Sequence, residues 1–168
     1  LVRYRLGIRD GWLRTLEPHA GNGALVRPLI EWHGLPSLDM LTLVEIDARR
    51  IVELAASDLE PYVTAGDFLG MRPDKQRPFD RVLMNPPFHM GADAVHIGHA
   101  LDFLAPGGRL VAIGSAGFAG RPTKATKAVR DRIKAWGGTI EDLPEGSFKE
   151  AGTNVATVLV AVDRPRAS

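Results

Sequence analysis

The sequence predicts an α/β fold, doubly wound, with a mostly parallel seven-stranded sheet that closes on a C-terminal antiparallel strand pair. Three observations predict it. Short β-branched or Leu-rich runs alternate with stretches of helical spacing, as in a βαβ series. A glycine-bearing turn joins the first apolar run to the first helical stretch. The last two apolar runs follow one another with no helix between them, which an antiparallel pair allows and a parallel one does not.

In chain order, Trp12 to Glu17 reads as the first strand, Leu38 to Ile46 as the second and Tyr62 to Thr64 as a short third. Arg81 to Met84 is the fourth and Arg109 to Gly114 the fifth, with Pro106-Gly107-Gly108 as a turn signal ahead of it. Helices are expected over Ala24 to Trp32, Ala48 to Ser57, Ala92 to Leu104 and Lys124 to Trp136. Thr139 to Leu143 and Val155 to Val162 form the closing pair.

The 168 residues, 45% apolar and 24% charged, suit one domain with a real core. No apolar run approaches the roughly 18 to 20 residues that span a bilayer, and the first five residues have no signal-peptide character, so a cytoplasmic protein with no membrane partner is expected. The absence of cysteine excludes disulfides, thiolate catalysis and thiolate zinc sites. A net charge of +1 gives no global argument for a polyanionic partner, so local charge must supply one. The chain begins with Leu rather than Met, so a missing upstream segment or an unusual start is expected.

The segment Leu16-Glu17-Pro18-His19-Ala20-Gly21-Asn22-Gly23-Ala24-Leu25 places two glycines between strand and helix, where backbone can approach a ligand and free N–H groups face it. Val26 stands where a dinucleotide fingerprint has its third glycine, which disfavours a nicotinamide or flavin. A sulfonium ligand has no pyrophosphate to cradle. About 20 residues on, the second strand ends in Glu45-Ile46-Asp47. Glu45 is expected to accept from both ribose hydroxyls, Ile46 to pack on adenine and Asp47 to cap the next helix. After the third strand, Asp67 is expected to accept from the adenine amino group and Phe68 to stack on its ring. Glu17, His19, Gly21, Asn22 and Gly23 complete the expected cofactor half.

Asn85-Pro86-Pro87-Phe88 follows the fourth strand directly. An amino group on an aromatic ring or amide is a poor nucleophile because its lone pair is delocalised. Two acceptors, the Asn85 side-chain oxygen and the Pro86 carbonyl, would each take one N–H and turn that lone pair toward a sulfonium methyl. Neither need be a strong base, since the cationic nitrogen formed by transfer sheds its proton readily. The prolines stiffen the loop, and Pro87 and Phe88 offer a surface for a planar substrate.

From about Trp12 to Val162 the chain resembles the class I, Rossmann-like methyltransferase fold that uses S-adenosylmethionine. The tetrapeptide resembles the amino-methyltransferase group, whose members modify adenine or cytosine in DNA, guanine in ribosomal RNA, or glutamine in release factors. The run from Leu143 to Val155, including Gly146-Ser147-Phe148-Lys149, resembles adenine-specific DNA methyltransferases of phages and mobile elements. That resemblance implies that Phe148 helps to hold the target base, with Lys149 beside it. Asn85-Pro86-Pro87-Phe88-His89-Met90-Gly91 also resembles ribosomal RNA guanine-N2 enzymes, which makes RNA the alternative. Many members have a Thr-Pro-type segment and helix that close over the cofactor carboxylate. Nothing before Trp12 matches it. The expectation is one methyltransferase domain over residues 1–168 that lacks this segment or works with a partner subunit, and a non-catalytic nucleic-acid or nucleoside-binding module is a further alternative.

For the nucleic-acid backbone, Lys124 and Lys127 are expected contacts. At roughly 100° per residue they share a helix face with Arg130 and Lys134, opposite Ala125, Val129, Ile133 and Trp136. A solvated basic face is the other reading of the same pattern. His89, His96 and His99 are not assigned to a metal, because methyl transfer needs none.

Overall fold

The computed structural model describes residues 12–120, 123–144 and 156–166. Its seven-stranded sheet has the order β3-β2-β1-β4-β5-β7-β6. The strands are β1 (Thr15–Glu17), β2 (Leu41–Glu45), β3 (Val63–Ala65), β4 (Phe79–Met84), β5 (Leu104–Ser115), β6 (Thr139–Asp142) and β7 (Thr157–Asp163). The first five run parallel, and β7 lies antiparallel between β5 and β6. The described helices are α1 (Arg27–His33), α2 (Ala48–Ala55), α3 (Ala92–Ala100), α4 (Ala116–Gly120) and α5 (Lys124–Ala135). The mostly parallel doubly wound sheet and its closing pair are as the sequence predicts.

Both faces of the sheet are buried, which is why β4 and β5 carry the continuous apolar runs Val82–Met84 and Leu110–Ile113 rather than alternating ones. One core joins Leu16, Val82, Met84, Leu110 and Val160 to Ile97 of α3 and Ile133 of α5. The other joins Leu43, Leu83 and Val111 to Leu29 of α1 and Leu54 of α2. Among the described residues no helix is long and apolar enough to cross a membrane.

Several boundaries move for local reasons. Helix α1 starts at Arg27 rather than Ala24 because Gly23 to Val26 is spent on turns, with Pro28 in the first helical turn. Strand β5 runs through Pro106-Gly107-Gly108, which the sequence assigns to a turn. The register with β4 jumps from Phe79↔Leu104 to Arg81↔Arg109, Gly107 takes φ +78°, and Arg164 bonds to Gly107 and Gly108. Helix α4 is unpredicted, having two glycines in five residues. In α5 the buried positions are Ile133, as expected, and Thr126, whose hydroxyl meets that of Thr123 at 2.7 Å, while Ala125, expected on the apolar face, is exposed.

Candidate active site

The strand order reverses between β1 and β4, and in an open α/β sheet the crevice at such a switch point is where ligands bind. Here it is a cleft of about 1130 Å³. Four turns at the carboxyl edge supply it: Glu17 to Asn22, Glu45 and Ile46, Gly66 to Leu69, and Asn85 to Pro87.

The first turn is held by Ala20 N–H donating to Val44 O at 2.9 Å and Gly21 N–H donating to Glu45 Oε2 at 2.7 Å. Gly21 (φ +58°) lines the cleft and Gly23 (φ +79°) does not. Gly23 has a packing role instead, since a Cβ there would lie 2.4 Å from Leu59 Cδ1. Asn22 lines the cleft while its side-chain oxygen accepts from Ala24 N–H at 3.1 Å.

Glu45 sits buried in the cleft wall with much of its capacity already used. Oε1 accepts from Ile46 and Asp47 N–H, both at 2.8 Å, and Oε2 from Gly21 N–H. Of roughly four lone-pair sites on a carboxylate, one remains, on Oε2. In this geometry Glu45 therefore has room for one hydroxyl rather than the two expected. Asp47 caps α2 as expected, accepting from Arg49 N–H at 2.8 Å. Asp67, exposed on the cleft, accepts from Leu69 N–H at 2.9 Å through Oδ1.

Phe68 lines the cleft, though little of its ring is open to it. Its side chain is 2% exposed, in edge or tilted contact with His19, His99 and Phe103 and stacked beside His96, so most of the ring is committed to packing. The apolar surface that the cleft leaves open belongs to Ile46, 68% exposed, and to Leu69, which the sequence reading missed. Arg50 and Glu53 also line the cleft unforeseen, one helical turn apart on α2.

At the floor, Glu17 is 1% exposed and its Oε2 has no hydrogen-bond partner. Burial, then repulsion from Glu45, pushes its carboxyl well above the ordinary range. Beside it His19 Nε2 and His96 Nδ1 share a hydrogen bond of 2.8 Å, and His19 Nδ1 is buried without a partner. Burial and the neighbouring His96 lower His19 to about 3, so this imidazole is neutral near pH 7. Because the folded value lies below the unfolded one, the unfolded chain binds the extra proton between about pH 6.5 and 3. Stability linked to His19 is thus complete above pH 6.5 and lost as pH falls toward 3, with a slope on the order of 1.4 kcal/mol per pH unit. Denaturant melts between pH 7 and 4.5 should show a shallower decline for His19→Gln than for the unmodified chain; parallel declines would refute the assignment.

The catalytic loop leaves β4 with Asn85 half-buried, Pro86 buried and Pro87 half-buried, all three on the cleft. The lining stops there, so Phe88, expected to stack on substrate, lies outside the cleft and instead leads into the turn His89–Gly91. That turn starts α3, which is fastened to the end of β5 by Asp93. Its buried Oδ2 accepts from Ser115 N–H at 2.9 Å and from Ser115 Oγ at 2.8 Å. Lys124 and Lys127 are exposed at the start of α5 and do not line the cleft; Lys127 pairs with Asp131 at 2.6 Å. Phe148 and Lys149 lie outside the described residues.

Solved structures share this architecture. A protein of Listeria monocytogenes described as a class I S-adenosylmethionine-dependent methyltransferase is 18% identical, with a TM-score of 0.71 over 99% of this chain and 58% of its own. The methyltransferase subunit of a type I restriction-modification system from Streptococcus thermophilus is 17% identical, with a TM-score of 0.76 over 99% of this chain and 43% of its own. A Vibrio vulnificus protein described as a modification subunit of a type I restriction enzyme is 18% identical, with a TM-score of 0.74 over 98% of this chain and 44% of its own. The chain thus spans less than two thirds of each. No curated protein matches it by sequence. The architecture is the class I methyltransferase fold. More narrowly, residues 19–131 match the Methyltransferase small domain, and the chain belongs to that family. The cofactor expected from the sequence for this cleft is S-adenosylmethionine. The residues present fit that group: an unpaired buried carboxylate oxygen suits a cation, a partly free acid at the end of β2 suits a hydroxyl, and Ile46 and Leu69 offer an apolar rim to a flat ring.

Proposed function

We propose that the chain methylates the exocyclic N6 amino group of adenine in DNA. The observation that carries the amino-nitrogen chemistry is the position of Asn85, Pro86 and Pro87 on the same cleft as Glu17, Glu45 and Asp67. S-adenosylmethionine, when bound, supplies an electrophilic methyl group. Asn85 Oδ1 and the Pro86 carbonyl accept the two amino hydrogens, which orients the nitrogen lone pair toward that methyl. The stiff Pro-Pro backbone keeps the acceptors in place, so little reorganisation accompanies the reaction. Glu17 and Glu45 hold the cofactor, with Ile46 and Leu69 against its base.

Adenine in DNA is supported by the resemblance of the loop containing Phe148 and by the restriction-modification subunits among the similar structures. Lys124 and Lys127 would approach phosphates, Lys127 by exchanging its exposed and weakly stabilising Asp131 partner. We assign target selection to a partner subunit, with residues 1–168 acting as one catalytic unit. A second reading, guanine-N2 in ribosomal RNA, is favoured by His89 after the aromatic residue.

Incubation with methyl-labelled cofactor and a mixture of duplex DNA, single-stranded DNA, ribosomal RNA and protein decides between these. Label at N6 of adenine in DNA is the expected result. Label confined to guanine in RNA would establish the second reading, and label in protein alone would refute both.

A further inference from the structure

Met90 has both an unfavourable backbone and an unfavourable environment. Among the described residues it is the non-glycine residue with positive φ (φ 50°, ψ 25°), a conformation that costs energy for any side chain with a Cβ and that Gly or Asn would adopt more cheaply. Gly91 continues the turn at φ +77°. The Met90 side chain is also fully exposed, so it contributes no burial to the fold in return. Neither its residue type nor its conformation is explained by packing within the chain.

Its position gives a reason. Met90 follows Pro87, the last residue of the loop on the cleft, by three residues, so its Cα is within about 11 Å of Pro87 Cα along the chain. Any polymer whose reacting group enters the cleft past Pro87 must run close to this turn. A base inside a duplex reaches such a cleft only by leaving the stack, which opens a gap with two apolar faces. A long, unbranched, soft side chain is suited to fill it, and apolar wedges of this kind recur where proteins unstack bases. Val95, half exposed at the end of the first turn of α3, is a further exposed apolar side chain five residues along the chain.

We propose that Met90 is a wedge that enters the base stack of duplex DNA as the target base is extruded into the cleft. The proposal rests on the reading of the substrate as a base in DNA. Its test compares methyl transfer to one oligonucleotide presented as duplex and as single strand, for the unmodified chain and for the Met90→Ala, Met90→Gly and Met90→Leu variants. The Ala and Gly variants should lose roughly tenfold or more in kcat/KM on the duplex, stay within about twofold on the single strand, and Leu should retain most duplex activity. Met90→Gly also relieves the backbone, so its loss cannot come from misfolding if its melting temperature is unchanged or raised. With 2-aminopurine at the target position, the unmodified chain should brighten the duplex on binding and Met90→Ala should not. Equal losses on both substrates, or no loss on the duplex, would overturn the wedge while leaving methyl transfer to DNA intact. An unmodified chain that labels no DNA would overturn the substrate reading, and the wedge with it.

Discussion

Replacing Asn85 with alanine is expected to lower methyl transfer by roughly 10²–10³-fold while the cofactor Kd changes by less than about threefold. The loss follows from where Asn85 stands. It leaves β4, a strand buried between β1 and β5, and is followed by two prolines, so backbone and side chain have little freedom to re-form the acceptor pair another way. Removing the amide leaves the Pro86 carbonyl as the remaining acceptor and the substrate nitrogen half-oriented. Asn85→Asp is the informative companion, because it keeps an acceptor oxygen at nearly the same place while replacing the amide donor with a second, charged acceptor. It should recover part of the lost rate. Single-turnover transfer of labelled methyl, alongside calorimetric cofactor binding, separates the two effects. If alanine and aspartate variants were equally inactive, or if alanine left the rate unchanged, acceptance of the amino hydrogens by Asn85 would be refuted.

What the sequence made legible was the edge of the sheet, because the chemistry there needs particular atoms in a short stretch of chain. Gly21 and Gly23 stand out since a turn with two left-handed residues admits few alternatives, and Asp47 since a carboxylate before a helical stretch has free N–H groups to satisfy. Asn85-Pro86-Pro87 is legible because its prolines and its polar side chain serve one another. Residues whose role is set by distant elements were not legible. How much of Phe68 the cleft sees depends on His19 and on His99 and Phe103, which arrive from two other places in the chain. The His19–His96 hydrogen bond spans 77 residues with no local pattern to announce it. The sequence shows Glu45 only as an acid at a strand end, and it is the fold that brings three backbone donors onto it. The extension of β5 through Pro106-Gly107-Gly108 likewise depends on Arg164, more than fifty residues later, accepting from and donating to that segment.

The same burial that hides Glu17 from sequence patterns makes it the group through which cofactor binding should couple to pH. Its carboxyl is raised first by burial and then by Glu45, so the domain with nothing bound holds it protonated over a range where the unfolded chain would be ionised. A raised folded value means that stability linked to Glu17 is complete below about pH 4.5 and lost as pH rises toward the folded value. A cation placed against the unpaired Oε2 has the opposite effect, favouring the carboxylate. Binding of S-adenosylmethionine, which carries an ammonium and a sulfonium, is therefore expected to release about one proton from Glu17 while the pH is below that folded value, and affinity should rise with pH across the same interval. Titration calorimetry in two buffers of different ionisation enthalpy measures the proton directly. Glu17→Gln keeps the shape, removes the charge, and should abolish both the proton release and the rise. At the upper end of the interval it should weaken binding by roughly 10- to 100-fold, the range for losing a hydrogen bond to a charged group. Glu17→Ala would leave a hole in the floor as well, so the glutamine variant carries the inference. Proton release that persisted in Glu17→Gln would move the coupled group elsewhere, to the His19–His96 pair in the first instance, where binding of a cation to a neutral imidazole would release nothing near pH 7 and so could be told apart by its narrower, more acidic range.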